Sequence, residues 1–127
     1  MSEPGEAIGV LVVDDESDMR ALVQAVIELA NHGLRVVGQA ASGEEAIEAW
    51  REKKPDAVVL DLRMPGMSGL EAAERILAER PEQCIILFSA FLDEPTVNKA
   101  SKLGIRRWIA KDEVSSIPAA LWSCAPA

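Results

Sequence analysis

The chain of 127 residues is long enough for one folded domain and too short for a second domain of ordinary size. Hydrophobic residues make up 49% of it and charged residues 27%, proportions that are typical of a globular domain and exclude a disordered or membrane-embedded chain. The formal net charge of -8 at pH 7 argues against direct binding of nucleic acid by this domain, because an acidic surface repels phosphate backbones.

Five short apolar runs alternate along the chain with segments of helical periodicity. The runs predict strands at residues 8–13, 34–37, 57–60, 84–88 and 107–110. The segments between them repeat apolar residues every three or four positions, and the repeat is weakest over 96–103. Short runs that are apolar throughout suit strands buried on both faces. The alternation predicts a single doubly wound α/β domain, with a five-stranded parallel sheet and helices on both faces.

Capping residues and prolines mark the predicted helix boundaries. Ser17 or Asp18 is expected to cap the first helix, and Ser42 and Ser68 are expected to cap the second and third. Their side-chain oxygens can accept hydrogen bonds from the unpaired N–H groups of a first turn. Pro118 is tolerated only in the first turn of the last helix, which we expect to be short.

The two cysteines and the one histidine are expected to have no catalytic role. The amino terminus lacks the basic and then apolar pattern of a signal peptide, and no apolar run reaches the ~18 residues of a membrane span, so we expect a cytoplasmic protein. Disulfides are rare in that compartment, and Cys84 and Cys124 are therefore expected to be reduced thiols. His32 is interpreted as a residue at a helix end.

Polar side chains follow four of the five predicted strands. Asp14 and Asp15 follow the first strand, Asp61 the third, Ser89 the fourth and Lys111 the fifth. Each alone has an ordinary interpretation as a turn, cap or surface residue. Because the carboxyl ends of parallel strands meet at one edge of a sheet, we expect all five to converge there. Three clustered carboxylates require a cation, and ligands that are all oxygen favour Mg²⁺.

These residues resemble the receiver domains of the response regulators of bacterial two-component signalling. The family pattern is an acidic pair after the first strand, an aspartate followed by x-x-M-P-x-M-x-G, a Thr or Ser after the fourth strand and a Lys after the fifth. Here the matching segments are DD, DLRMPGMSG, ILFSA and WIAKD. The resemblance covers residues 5–124, leaves 125–127 as a tail, and implies a flavodoxin-like fold with strand order 2-1-3-4-5.

The resemblance also implies a phosphoacceptor chemistry with Mg²⁺ as the cofactor, and a domain that is not an enzyme in its own right. Asp61 would take a phosphoryl group from a phosphohistidine of a histidine kinase or phosphotransfer protein. Asp15 and Asp61 would bind the metal directly, Asp14 would contact it through water, and Arg63 would supply its backbone carbonyl.

A conformational switch is implied in the same way. Lys111 would bring a positive charge to the phosphoryl group, and the Ser89 hydroxyl would donate a hydrogen bond to it and move. Trp108, where the family usually has Tyr or Phe, would then turn inward. Arg63 and Phe91 lie two residues beyond site residues, where relatives tune the lifetime of the phosphoryl group.

The expected partner is the kinase, which by the resemblance docks near the first helix around Glu16, Met19 and Arg20. No contact of this domain with nucleic acid or a membrane is expected, and the resemblance leaves room for a phosphorylation-dependent homodimer. Asp112 stands where many relatives have Pro, and Lys-Asp is similar to receivers that carry a helix-turn-helix DNA-binding domain downstream. The sequence does not decide between a single-domain regulator and one module of a longer protein.

Three other classes of protein fit the sequence less well than a receiver domain does. An aspartyl-nucleophile phosphohydrolase of the haloacid-dehalogenase type has a second acid two residues after the nucleophile, where this chain has Arg63. A phosphorylation-independent interaction module of the same fold usually lacks one of the acidic residues or the lysine. A flavin-binding protein is disfavoured because the segment DDESD would repel the phosphate of the cofactor.

Overall fold

The computed structural model describes residues 7–30, 33–90 and 92–124, so His32 and Phe91 lie outside the described residues. Within these ranges five strands alternate with five α-helices. In chain order they are β1 (Ile8–Val13), α1 (Ser17–Ala30), β2 (Leu34–Ala40), α2 (Gly43–Lys53), β3 (Ala57–Leu60), α3 (Gly69–Glu79), β4 (Cys84–Ser89), α4 (Glu94–Lys102), β5 (Arg107–Ala110) and α5 (Ile117–Cys124), with a 3-10 segment over Lys111–Ser116. None of the described helices is both long and apolar enough to span a membrane.

The strands form one parallel sheet in the order β2-β1-β3-β4-β5. This confirms the fold class that the sequence predicts and the strand order that the resemblance to receiver domains implies. β2 is longer than predicted because Gly38, Gln39 and Ala40 continue its pairing with β1 after a shift in register between Val10 and Leu11. Gln39 is exposed at the outer strand of the sheet, so the apolar pattern ends before the strand does.

Alternate residues of each central strand enter two separate cores. In β1, Leu11 and Val13 pack on the side covered by α2, α3 and α4, while Val10 and Val12 pack on the side covered by α1 and α5. β3 and β4 are buried along their whole lengths for the same reason. Burial on both faces explains why these strands read as continuous apolar runs, and it fixes the register that brings their carboxyl ends to one edge.

Two of the three predicted helix caps are confirmed. Ser42 Oγ accepts from the N–H of Glu45 at 3.1 Å, and Ser68 Oγ accepts from the N–H of Glu71 at 3.2 Å in a reciprocal capping box. The prediction for α1 is wrong, because the helix already begins at Ser17 and both Ser17 and Asp18 lie in its first turn. The last helix is short, with eight residues, and Pro118 lies in its first turn as predicted.

The prediction of two reduced thiols is also wrong, because Cys84 and Cys124 form a disulfide with their Cα atoms 5.7 Å apart. The two residues are 40 positions apart in the chain. They meet because α5 runs back from the carboxyl edge of the sheet and ends beside the first residue of β4. The folded path of α5 therefore creates a contact that the spacing of the cysteines does not indicate.

Candidate functional site

Three carboxylates gather at the carboxyl edge of the sheet. Asp14 and Asp15 directly follow β1, and Asp61 directly follows β3, the neighbouring strand. Asp14 and Asp61 are only 2% and 5% exposed, whereas Asp15 is exposed to solvent. Each of the three offers a carboxylate oxygen within 4.8 Å of the others. The convergence expected from the sequence is thus present in the structure.

Lys111 bridges the two buried carboxylates. Its Nζ donates to Asp14 Oδ2 at 2.8 Å and lies 3.5 Å from Asp61 Oδ2. The exposed Glu16 carboxylate is farther away, at 4.0 Å. Lys111 reaches this position because β5 pairs with β4 so that Ala110 lies beside Ser89, and the chain turns immediately afterwards. The ammonium group is therefore held directly against the carboxylate predicted to be the phosphoacceptor.

The titration of the site follows from this mixture of burial and charge. Burial raises the pKa of the Asp61 carboxyl above its ordinary value, and the negative charge of Asp14 raises it further. Lys111 and the backbone N–H of Arg63 oppose that rise without cancelling it. The pKa of Lys111 is also raised. Burial lowers this pKa, but the hydrogen bond to Asp14 and the negative charge of Asp61 together have the larger effect. The lysine is thus held in its charged form beside a carboxylate of increased basicity.

The donor set fits a divalent cation. Three carboxylates face one ammonium group, so the cluster keeps an excess of two negative charges. All the donors are oxygen atoms, and Asp15 is open to water. Mg²⁺ is bound in proteins by one or two carboxylates together with several waters and phosphate oxygens, which matches a half-exposed acidic cluster of this kind.

A cavity of about 280 Å³ opens above the cluster and is lined by Asp15, Asp61, Arg63, Ser89 and Lys111 among others. Ser89 is the last residue of β4 and is only 1% exposed. Arg63 is exposed at the rim, and its backbone N–H lies 3.5 Å from Asp61 Oδ1. The cavity has room for a small anion beside Lys111 and Asp61. The role of the Arg63 carbonyl as a metal ligand stays a prediction.

Two residues that support the site were missed in this role by the sequence analysis. Arg20, expected only as part of a docking surface, is half-buried, and its Nη1 donates to the backbone carbonyl of Asp14 at 2.7 Å. Its Nε donates to Gln39 Oε1 at 3.1 Å, which ties the acidic loop to β2. Gly69, the first residue of α3, lies so close to Asp61 that an added Cβ would overlap the Asp61 carbonyl oxygen. The sequence signal for this close approach was a glycine at the start of a helix, a position where other residues form helices more readily.

The residues of the predicted switch and docking surface lie around the site. Trp108 in β5 is 37% exposed, and its neighbour Ile109 points into the core beneath α1 and α5. Since side chains alternate along a strand, Trp108 belongs to the opposite face of the sheet, the side on which α2, α3 and α4 lie. Glu16 is exposed and Met19 is half-buried against the core. The inward movement of Trp108 and the kinase contact stay predictions.

A family model of the response regulator receiver domain matches residues 10–121. Chemotaxis protein CheY of Thermotoga maritima is 39% identical over 102 residues, which cover 80% of this chain and 83% of CheY. Response regulator GacA of Pseudomonas viridiflava is 36% identical over 104 residues, which cover 82% of this chain and 48% of GacA. The matched segment therefore spans about four fifths of the first relative and about half of the second.

Solved structures give the same result. The receiver domain of the putative response regulator NarL from Mycobacterium tuberculosis superposes with a TM-score of 0.86 at 31% identity, covering 94% of this chain and 96% of that domain. The response regulator domain of Thermotoga maritima CheB also superposes with a TM-score of 0.86, at 28% identity, covering 93% of this chain and 96% of that domain.

Proposed function

The chain belongs to the response regulator receiver domains of two-component signalling, and we propose that Asp61 is its phosphoacceptor. The observation that carries the proposal is the contact of one ammonium group, that of Lys111, with both buried carboxylates at the mouth of an open cavity. The module is proposed to extend over residues 5–124, with 125–127 as a tail, and to act in the cytoplasm.

In the proposed reaction an Asp61 carboxylate oxygen attacks the phosphorus of a phosphohistidine on a histidine kinase or phosphotransfer protein. The new O–P bond forms as the P–N bond breaks, and the electron pair of the P–N bond leaves with the imidazole. Desolvation makes the Asp61 carboxylate more basic than an exposed one, which favours attack. Lys111 is already within reach of the incoming group and needs little reorganisation to neutralise its charge.

Mg²⁺ is the proposed cofactor, and when bound it would neutralise charge on the transferred phosphoryl oxygens. Asp15 and Asp61 are the proposed direct ligands, with Asp14 acting through water and Arg63 through its backbone carbonyl. Asp14 is already bonded to Lys111 and to the N–H of Glu16, which supports an indirect role for it at the metal. Arg20 keeps the loop that carries the acidic pair in position through the Asp14 carbonyl.

The Ser89 hydroxyl is proposed to donate to a phosphoryl oxygen, and its movement would couple the site to Trp108. Both residues lie on the β4–β5 pair, where Ser89 lies beside Ala110 and Leu87 beside Trp108. A shift of the strand end at Ser89 is therefore transmitted along the pair to the exposed indole. The proposed role is that of a phosphoacceptor that assists its own phosphorylation and dephosphorylation, and not that of an enzyme with a separate substrate.

Intact-mass measurement tests this proposal directly. The full chain is mixed with acetyl phosphate and Mg²⁺, with and without a chelator. We expect the mass of one phosphoryl group on the wild type, and no gain for Asp61→Asn or in the presence of chelator. Asp18→Asn is the matched control, since Asp18 is an exposed aspartate in the first turn of α1, and it should behave as the wild type does. Equal phosphorylation of the wild type and Asp61→Asn would overturn the assignment.

A further inference from the structure

The disulfide lies at the opposite edge of the sheet from the phosphoacceptor. Cys84 is the first residue of β4 and Cys124 the last residue of α5. We propose that Cys84–Cys124 is a thiol–disulfide exchange site that reacts reversibly with small, negatively charged thiols. The site shares no residue with the acidic cluster, so this proposal is independent of the phosphoacceptor assignment.

A cavity of about 420 Å³ gives access to the disulfide. Both cysteines line it, together with Ser123 and the loop that leads into β5. Cys84 is 5% exposed, whereas Cys124 is only partly buried at the end of its helix. A thiolate of low molecular weight can therefore reach Cys124 from the cavity, and Cys84 lies behind it as the leaving group.

The charge of the cavity selects the kind of thiol. Arg106 and Arg107 both line it, and Glu82 is the one acidic residue among the described residues that line it. The Glu82 carboxylate lies 3.9 Å from Arg80 Nε, so it is already paired with another guanidinium. Arg107 Nε donates to Ser123 Oγ at 3.1 Å, which places a guanidinium next to the residue that precedes Cys124. The chain as a whole carries a net charge of -8, so this cationic lining differs from its overall charge. Guanidinium groups attract an anionic thiol and stabilise the thiolate that is released.

The exchange balances as two successive displacements. The thiolate RS⁻ attacks Cys124 Sγ, forming an RS–Sγ bond as the bond to Cys84 Sγ breaks, and the electron pair leaves on Cys84 as a thiolate. A second RS⁻ then attacks the sulfur of the bound R group, forming RS–SR and releasing Cys124 as a thiolate. Protonation of both thiolates completes the reaction, so the protein gains two electrons and two protons while two thiols become one disulfide.

Exchange is expected to change the end of α5 rather than the whole fold. The residues of α5 that are buried in the core are Ile117, Pro118 and Leu121, all in its first five positions. The last turn contains the exposed Trp122 and Ser123, and both the disulfide and the hydrogen bond from Arg107 to Ser123 join it to the sheet. An eight-residue helix depends on tertiary contacts to keep its last turn. Reduction therefore removes the covalent link and loosens the last turn while the core stays folded.

The test compares three small thiols that differ in charge: 2-mercaptoethanesulfonate, 2-mercaptoethanol and cysteamine. Reaction of the full oxidised chain is stopped with acid, free thiols are alkylated, and intact mass counts the alkyl groups. Each rate is divided by the concentration of the thiolate form of that thiol, so that thiols of different acidity can be compared. We expect two alkyl groups on the folded protein and a rate about fivefold higher for the anionic thiol than for the cationic one, the size of an exposed charge contact.

The double variant Arg106→Gln, Arg107→Gln should bring the rates of the three thiols together. Its matched control is Arg35→Gln, Arg75→Gln, which removes the same charge at exposed positions on β2 and α3 and should keep the order of rates. Incubation at set ratios of reduced to oxidised glutathione should shift the oxidised fraction reversibly, with unchanged circular dichroism. Failure of the bridge to form in oxidised glutathione, reaction only after unfolding, or rates that ignore thiol charge would each overturn the proposal.

Discussion

Replacing Gly69 with alanine tests how closely α3 fixes the phosphoacceptor. The added Cβ would overlap the Asp61 carbonyl oxygen and lie 2.9 Å from the Leu62 Cα, where ordinary contacts are 3.4 Å or more. Both neighbours are backbone atoms, so the strand end and the helix must separate. A displacement of about 1 Å at a reacting group can reduce a rate by about 100-fold. We therefore expect phosphorylation by acetyl phosphate to be slower by one to two orders of magnitude.

Stability should fall in the same variant. Overpacking of this kind costs about 1–3 kcal/mol, more than the gain of under about 1 kcal/mol from a better helix former at a first helical position. Each kcal/mol corresponds to a decrease of roughly 4 °C in Tm for a chain of this size. Gly104→Ala is the control, because its φ of 99° also strains an alanine but no atom lies within 4 Å of the new Cβ. It should lose stability without losing phosphorylation. A wild-type Tm and a wild-type phosphorylation rate in Gly69→Ala would show that the close packing of α3 does not fix the position of Asp61.

Three further predictions concern the metal, the charge of the site and the switch. Saturating Mg²⁺ should stabilise the protein by about 2–3 kcal/mol at 100 times its dissociation constant, and Asp15→Asn should reduce the resulting Tm shift in a thermal melt. Asp61→Asn should raise the free energy of unfolding at pH 7 without Mg²⁺. The folded-state pKa of Asp61 is raised, so the wild type loses stability as the pH rises from the unfolded-state pKa of about 3.9 through the folded-state pKa. The pH-dependent difference in unfolding free energy between Asp61→Asn and the wild type, measured by urea unfolding, should therefore vanish below the unfolded-state pKa. Phosphorylation should change the emission of Trp108 when the other two tryptophans are phenylalanine, Ser89→Thr should weaken the change by crowding the inward site, and an unchanged spectrum would contradict the switch.

The sheet and the acidic site could be predicted from sequence because both depend on local pattern. Continuous apolar runs indicate strands buried on both faces, and polar residues that directly follow such runs must lie at one edge of a parallel sheet. Asp14, Asp61 and Lys111 are brought together by that rule alone. The two serine caps were also predictable, because each serine Oγ accepts a hydrogen bond from a backbone N–H only three residues later in the chain.

What could not be predicted depends on long-range packing. The disulfide requires the position of α5 over β4, and neither Cys84 nor Cys124 carries a local signal for the other. Arg20 acts through a backbone carbonyl, which is available at every residue and leaves no mark in the sequence. The end of β2 was missed because Gln39 pairs through its backbone while its side chain is exposed.

The chemical identity and position of the phosphoryl linkage show whether Asp61 is the phosphoacceptor. After reaction with acetyl phosphate and Mg²⁺, the wild-type chain is treated with hydroxylamine, which converts an acyl phosphate into a hydroxamate, and is then mapped by peptide mass spectrometry. We expect one hydroxamate, on Asp61, together with complete loss of the phosphoryl group. A phosphoryl group that survives hydroxylamine, or a hydroxamate on a different residue, would contradict the assignment of Asp61.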